Sequence, residues 1–128
     1  MIRVVRLGSP RVDDEGLRLG TVRRPPRGVR KTEFATRDFY DVWLPELAPS
    51  AEVVSEALSQ PWTGARWRRY ARTYERQMRE PHAQHLIGLL AALSHQTNFS
   101  VGCYCEDASR CHRTLLKELL RSAGGVIV

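Results

Sequence analysis

The sequence predicts a single α/β domain with a mostly parallel sheet of about three to four strands flanked by helices. Three observations predict it. Short β-branched segments are separated by segments of helical periodicity. An apolar run near the C-terminal end breaks into a polar loop and is followed at once by a leucine-rich helical pattern. The chain has 128 residues, the length of one domain. A chain of this size hides roughly two-thirds of its unfolded surface on folding.

In chain order, residues 1 to 7 alternate and are β-branched, as a strand requires, until Gly8-Ser9-Pro10 breaks them. Arg11 to Gly16 is a polar loop, and residues 17 to 22 read as a second strand. Arg23-Arg24-Pro25-Pro26-Arg27-Gly28 continues neither strand nor helix, because two prolines remove two backbone donors. It is a rigid basic turn: either a solvated loop or an anion-facing lip at the C-terminal end of a strand, where ligands of open α/β sheets sit. Residues 31 to 47 are amphipathic but interrupted, with Phe34, Phe39, Val42, Trp43 and Leu47 expected to pack inward. Ser50 is placed to cap a helix running to about Ser59, with Val53, Val54, Ala57 and Leu58 as its apolar stripe.

Residues 65 to 80 form the most arginine-dense helix. Trp67, Tyr70, Ala71, Tyr74 and Met78 share one face, and Arg68, Arg69, Arg72, Arg76 and Arg79 the other. The aromatic stripe reads as core, and the arginine stripe as a solvated face or a set of phosphate contacts. Pro81 suits the first turn of a further helix, with Leu86, Leu89, Leu90 and Leu93 as its core stripe. His82 and His85 read as polar surface, and residues 124 to 128 as a short closing strand or a frayed tail.

Composition bounds the function. The net charge is +6 and lysine occurs only at Lys31 and Lys117, so arginine carries the positive side. Arginine suits forked recognition of phosphate or carboxylate, although a GC-rich genome also enriches it, so clustering has to carry any functional reading. No apolar run approaches the roughly 20 residues that span a bilayer, and Met1 to Arg6 lacks the apolar core and cleavage site of a leader peptide. Three clustered cysteines, an odd number, argue against a secreted disulfide framework and for a cytoplasmic protein with reduced thiols.

All three cysteines lie between Val101 and Arg113. Ser109 is placed to cap the last helix, which puts Arg110, Cys111 and His112 at its first three positions. Free N–H groups and the positive helix end favour an anion there and lower a thiol pKa. Cys111 is therefore the candidate thiolate, His112 a candidate proton carrier, and Arg113 a candidate anion clamp, with Ser109, Arg110, Arg23 and Arg27 completing an anion site. The alternative is that Cys111 is a small buried apolar residue. Cys103 and Cys105 point to one strand face, so Cys103, Cys105, Cys111 and His112 invite a zinc reading. Their gaps of one residue, five and none do not follow the usual two-to-four-residue pairs, so neither metal nor cofactor is expected. A Cys105–Cys111 redox pair is a further option. Glu106 and Asp107 either orient His112 or are ordinary loop carboxylates.

The residues also resemble a known family. The Cys111-His112-Arg113 triplet opening a helix after a short apolar strand is similar to the bacterial DUF488 family, and more closely to its YeaO-like branch. Arg6, Gly16 and Arg18 match the branch's N-terminal pattern, and Arg23, Pro26, Arg27 and Gly28 its basic turn. Trp43, Glu46, Leu47, Ala48, Pro49 and Ser50 match its central stretch, and Tyr74 its helical tyrosine. The branch usually carries Asp and Trp where this chain has Val22 and Pro25. The resemblance implies a compact α/β domain of the bacterial cytoplasm and supplies no established activity.

Three functions follow as expectations. The first is a domain binding a phosphate-bearing small molecule or nucleotide, with thiolate chemistry at Cys111. The second is a nucleic-acid-binding module using Arg68, Arg72, Arg76 and Arg79 of the helix at 66–79. The third is a redox-sensing or zinc-stabilised domain.

Overall fold

Four short strands build the sheet: β1 (Ile2–Arg6), β2 (Leu17–Gly20), β3 (Val42–Trp43) and β4 (Phe99–Cys103). The computed structural model describes residues 1–128. Strand order is β1-β4-β2-β3, and every pair is parallel. Three helices lie between β3 and β4: α1 (Ala51–Ser59), α2 (Gly64–Gln77) and α3 (Pro81–Leu93). A fourth, α4 (His112–Ser122), follows β4. The expected α/β domain is therefore present, with a sheet that is wholly parallel.

β4 runs through the middle of the sheet and is buried along its whole length. Its apolar and small residues, with Ser100 the one polar side chain, suit a strand between two parallel neighbours. Register places Phe99 beside Ile2 and Leu17, and Val101 beside Val4 and Leu19. On that face α2, α3 and α4 supply Tyr74, Met78, Ile87, Leu90, Leu116 and Leu120 to the main core.

The opposite face carries no helix. It is covered by the segments at 8–16 and 21–41 that flank β2, whose one helical feature is a 3-10 turn at Lys31–Glu33. Ser100 and Arg18 lie side by side there. Arg18 is fully buried, and its guanidinium donates to both oxygens of Glu15 at 2.7 and 2.9 Å. It also donates to the carbonyls of Ser9 and Asp38, and Ser100 Oγ donates to Glu15 at 2.7 Å. Tyr40 lies flat over Gly20, where a Cβ would come within 2.3 Å of the ring. A side chain at Gly20 would therefore expel Tyr40 from its place.

Local signals explain the helix ends. Ser50 Oγ accepts from the Val53 N–H and caps α1, as expected; Thr63 Oγ1 does the same for α2 from the Arg66 N–H. Pro81 occupies the first turn of α3. The aromatic stripe of α2 turns inward, ending in buried Tyr74 and Met78, while Arg68, Arg69, Arg72, Arg76 and Arg79 are exposed. Tyr74 is fully buried, and its hydroxyl donates to the Leu47 carbonyl at 2.8 Å. Tyr74→Phe leaves that buried carbonyl unpaired, so urea denaturation should show a loss of about 1–3 kcal/mol with the fold unchanged.

Several sequence expectations are corrected. Val42 and Trp43 do not pack inward; they form edge strand β3 and are exposed, with Trp43 Nε1 donating to the Val22 carbonyl at 2.8 Å. The buried face of α3 is Ala83, Ile87, Leu90 and Ala91, whereas Leu89 and Leu93 are exposed. Small alanines allow that helix to lie close to its neighbours, and the more numerous leucines mark the wrong phase. Leu58 is 83% exposed and stands outside the α1 stripe. The tail resolves as a bridge, Ile127 pairing parallel with Ile2.

Candidate functional site

β4 delivers Cys103 to the C-terminal end of the sheet, beside Leu7, Val22, Tyr40 and Cys111 in a second, smaller core. The chain then leaves the strand through Tyr104 and Cys105 and makes a 3-10 turn at Ala108–Arg110. Asp107 Oδ1 caps this turn, accepting from the Ser109 N–H at 3.0 Å and from Ser109 Oγ at 2.6 Å. Ser109 is thus held by Asp107 and is not the cap of α4. The helix begins at His112, and Cys111 precedes it in extended conformation (φ −137°, ψ 144°). The expected start fails because the polar run Asp107–Arg110 forms its own turn, which ends one residue before the helix, at Cys111. Glu106 does not reach His112; it pairs with Arg6 at 3.2 Å on the surface.

β2 ends against the same place. Thr21 donates its N–H and Oγ1 to the Gly102 carbonyl at 3.1 and 2.9 Å. The Thr21 carbonyl in turn lies 2.6 Å from His112 Nε2. A carbonyl only accepts, so Nε2 carries the proton and Nδ1 presents a lone pair. Nδ1 lies 3.8 Å from Cys111 Sγ, and Cys103 Sγ lies 3.5 Å from Cys105 Sγ. The sulfurs of Cys103 and Cys111 and a ring nitrogen of His112 are all within 4.8 Å of one another. Tyr74 packs against the imidazole with ring centroids 5.4 Å apart.

Burial sets the proton positions. His112 is lowered to about 4 by burial, in spite of the Thr21 hydrogen bond, so the ring is neutral at pH 7. The three thiols titrate as a unit. Hydrogen bonds from Cys103 and then Cys111 pull Cys105 well down, helped by the field of Arg113. Cys103 is pushed up by its bond to Cys105, and Cys111 by its contacts with Cys103 and then Cys105. The first negative charge therefore forms on Cys105, which is exposed, while Cys111 is 1% exposed.

The arginines divide into two kinds. Arg23 spends its guanidinium on the carbonyls of Pro45, Ala48 and Pro49, clamping the chain ahead of α1. Arg113 is buried, and it donates to the carbonyls of Val5 and Cys103 at 3.2 and 3.5 Å and pairs with no carboxylate. Arg24 and Arg27 are exposed. Arg110 lies over the Trp67 ring at 5.8 Å.

These parts surround one cleft of about 730 Å³. Its floor is Cys103, Cys105 and His112; one wall is the basic turn with Arg24 and Arg27; the other is α1 with Trp62 and with Tyr70 of α2. The two loops touch directly, since Tyr104 OH donates to the Arg24 carbonyl at 2.9 Å. The second wall brings in residues that the sequence reading did not place in a site. Trp62 and Tyr70 meet edge to face at 5.4 Å, and Tyr70 stacks on Trp67 at 5.4 Å. Exposed Leu58 also lines this wall. A tryptophan in the Pro61–Gly64 turn between two helices was the available signal for it. Arg68, Arg72, Arg76 and Arg79 lie outside the cleft and form no salt bridge.

The DUF488-N3a family profile, described as the active DUF488-N3 subclade, matches residues 2–124. No curated protein and no solved structure matches the chain. The profile runs from the first residue of β1 past the end of α4, and the protein accordingly belongs to the DUF488 family.

Proposed function

We propose that the cleft binds a small molecule carrying a phosphate or similar anionic group next to a ring, a nucleotide being the class that fits best. One observation carries this reading: Arg24, Arg27 and Arg110 share a cleft with Trp62 and Tyr70 at the C-terminal ends of parallel strands. Ligands of open α/β sheets collect at that end. Guanidiniums supply forked donors for an anion, and aromatic faces supply a stacking surface for a ring. The cleft volume lies within the range of small-molecule sites.

The matched subclade is described as active, which suits chemistry on the molecule held here. Cys105 is the sulfur that such a molecule meets first, because it is exposed on the cleft floor. Cys111 and His112 act from behind it: Cys111 through its sulfur contacts, and His112 by tying β2 to the start of α4. Arg113 acts through the strand ends, which leaves direct anion contact to Arg24, Arg27 and Arg110. Three unpaired thiols gathered at one strand end suit a reducing compartment such as the cytoplasm.

Calorimetric titration with a nucleoside monophosphate, the matching nucleoside and inorganic phosphate tests the reading. The monophosphate should bind about ten-fold or more tightly than either part, since each part keeps only one of the two contact types. Equal binding of all three, or binding of none across a panel of four bases, would remove it.

A further inference from the structure

We infer that Cys103, Cys105, Cys111 and His112 form a binding site for one zinc-like divalent ion at the floor of the cleft. Three of the donors are fixed on buried backbone. Cys103 closes β4, Cys111 immediately precedes α4, and His112 opens it. Their sulfurs and ring nitrogen already lie within 4.8 Å of one another. Cys105 brings a fourth donor to 3.5 Å from Cys103 Sγ, and Nδ1 of His112 lies 3.8 Å from Cys111 Sγ. In a tetrahedral zinc site, with bonds of roughly 2.3 Å to sulfur and 2.0–2.1 Å to nitrogen, neighbouring donors stand roughly 3.3–3.8 Å apart. The 3.5 and 3.8 Å separations match those edges, and Cys105, outside the 4.8 Å cluster of the other three, would complete the set by turning its side chain.

The imidazole is prepared for a metal. Its Nε2–H is committed to the Thr21 carbonyl at 2.6 Å, which fixes the ring and leaves Nδ1 free to ligate. Metal-bound histidines are oriented by this kind of outer hydrogen bond. Charge points the same way. Arg113 is a buried cation with no carboxylate partner. A buried charge of this kind is costly unless compensated. Three thiolates around a dication leave one net negative charge, which Arg113 balances. The donor set of three sulfurs and a nitrogen suits zinc and excludes magnesium and calcium, which require oxygen.

The sequence spacing hides this arrangement. Zinc sites read from sequence rely on paired ligands two to four residues apart. Here a strand end and a helix start converge after the loop between them has made its own 3-10 turn. The site forms the floor of the same cleft but uses none of the arginines assigned to the anion, so loss of metal and loss of nucleotide binding are separate outcomes.

The test uses the full chain, purified under reducing conditions without chelator. Elemental analysis should find about one zinc per chain. Exchange with cobalt(II) should give the strong visible bands of a tetrahedral site together with thiolate-to-cobalt charge transfer. Cys105→Ser changes an exposed side chain and should fold; it should weaken zinc binding by about ten-fold or more and lower the charge-transfer intensity. Cys111→Ser should abolish the bands, with circular dichroism reporting whether the fold survives. A folded wild-type chain that takes up neither zinc nor cobalt would overturn the site. So would cobalt bands that Cys105→Ser leaves unchanged, since the ion would then lie elsewhere.

Discussion

Replacing Glu15 by alanine should destabilise the protein by about 3–5 kcal/mol, the usual cost of breaking a buried ion pair from one side. Glu15 is 4% exposed, and its partner Arg18 is fully buried. The carboxylate accepts both Arg18 donors, Ser100 Oγ and the Val12 N–H. Alanine would strand a guanidinium in the centre of the helix-free face, with no other carboxylate on its side chain. Denaturation by urea at pH 7 measures the loss, and Glu15→Gln should fall between the two because it keeps one acceptor. The same pair predicts acid sensitivity. Burial alone would raise the Glu15 carboxyl, but the bonds from Arg18 and Ser100 outweigh it and hold the group at about 2. The folded value lies below the unfolded one, so the stabilisation is complete above the ordinary carboxylate range and is lost as pH falls toward 2. The change between pH 5 and pH 2 should be about 3 kcal/mol from this group. A stability that is flat over that interval, or equal in wild type and Glu15→Gln, would contradict the assignment.

The double substitution Arg24→Ala with Arg27→Ala should lower nucleotide affinity on the order of 100-fold while leaving the fold unchanged. Both side chains are exposed on the basic turn and form no salt bridge. Each charged hydrogen bond to a phosphate contributes about 1.5–3 kcal/mol. Arg23→Ala should act differently. That guanidinium holds three carbonyls ahead of α1, so its loss should lower the melting temperature as well as affinity. The contrast separates the arginines that face the cleft from the one that shapes it. Affinity that survives the double substitution would place the anion elsewhere.

The fold was legible where local signals agree with tertiary packing. β1, β2 and β4 announced themselves by β-branched residues bounded by breakers, and Ser50 and Pro81 marked two helix starts correctly. β3 was not legible: two exposed residues form a strand only because the Gly20 end of β2 offers them a free edge. Helix α3 was legible as a helix but not in phase. Its buried face is set by how closely Ala83 and Ala91 let it approach, which a count of leucines does not reveal.

The site was legible in part. The cysteine stretch and the basic turn stood out in the sequence, and the fold brings them into contact through Tyr104. The division among the arginines was invisible, because whether a guanidinium faces solvent or a row of carbonyls depends on partners 22 to 108 residues away. Trp62 of the aromatic wall was not placed at all, and Tyr70 was read as core, since it shares a helical face with Tyr74. Only the latter is fully buried, and the space in front of the former is the cleft. The sulfur order also escaped the sequence. The positive helix start pointed to Cys111, whereas the turn at Ala108–Arg110 buries it and leaves Cys105 outside.

The most direct measurement is a titration of the isotope-labelled full chain with a nucleoside monophosphate, followed by backbone and indole NMR shifts. The account predicts saturable shifts confined to the turn at 22–27, the loop at 103–112, the Trp62 indole and Tyr70. Shifts along Arg68, Arg72, Arg76 and Arg79, or none at saturating ligand, would contradict it.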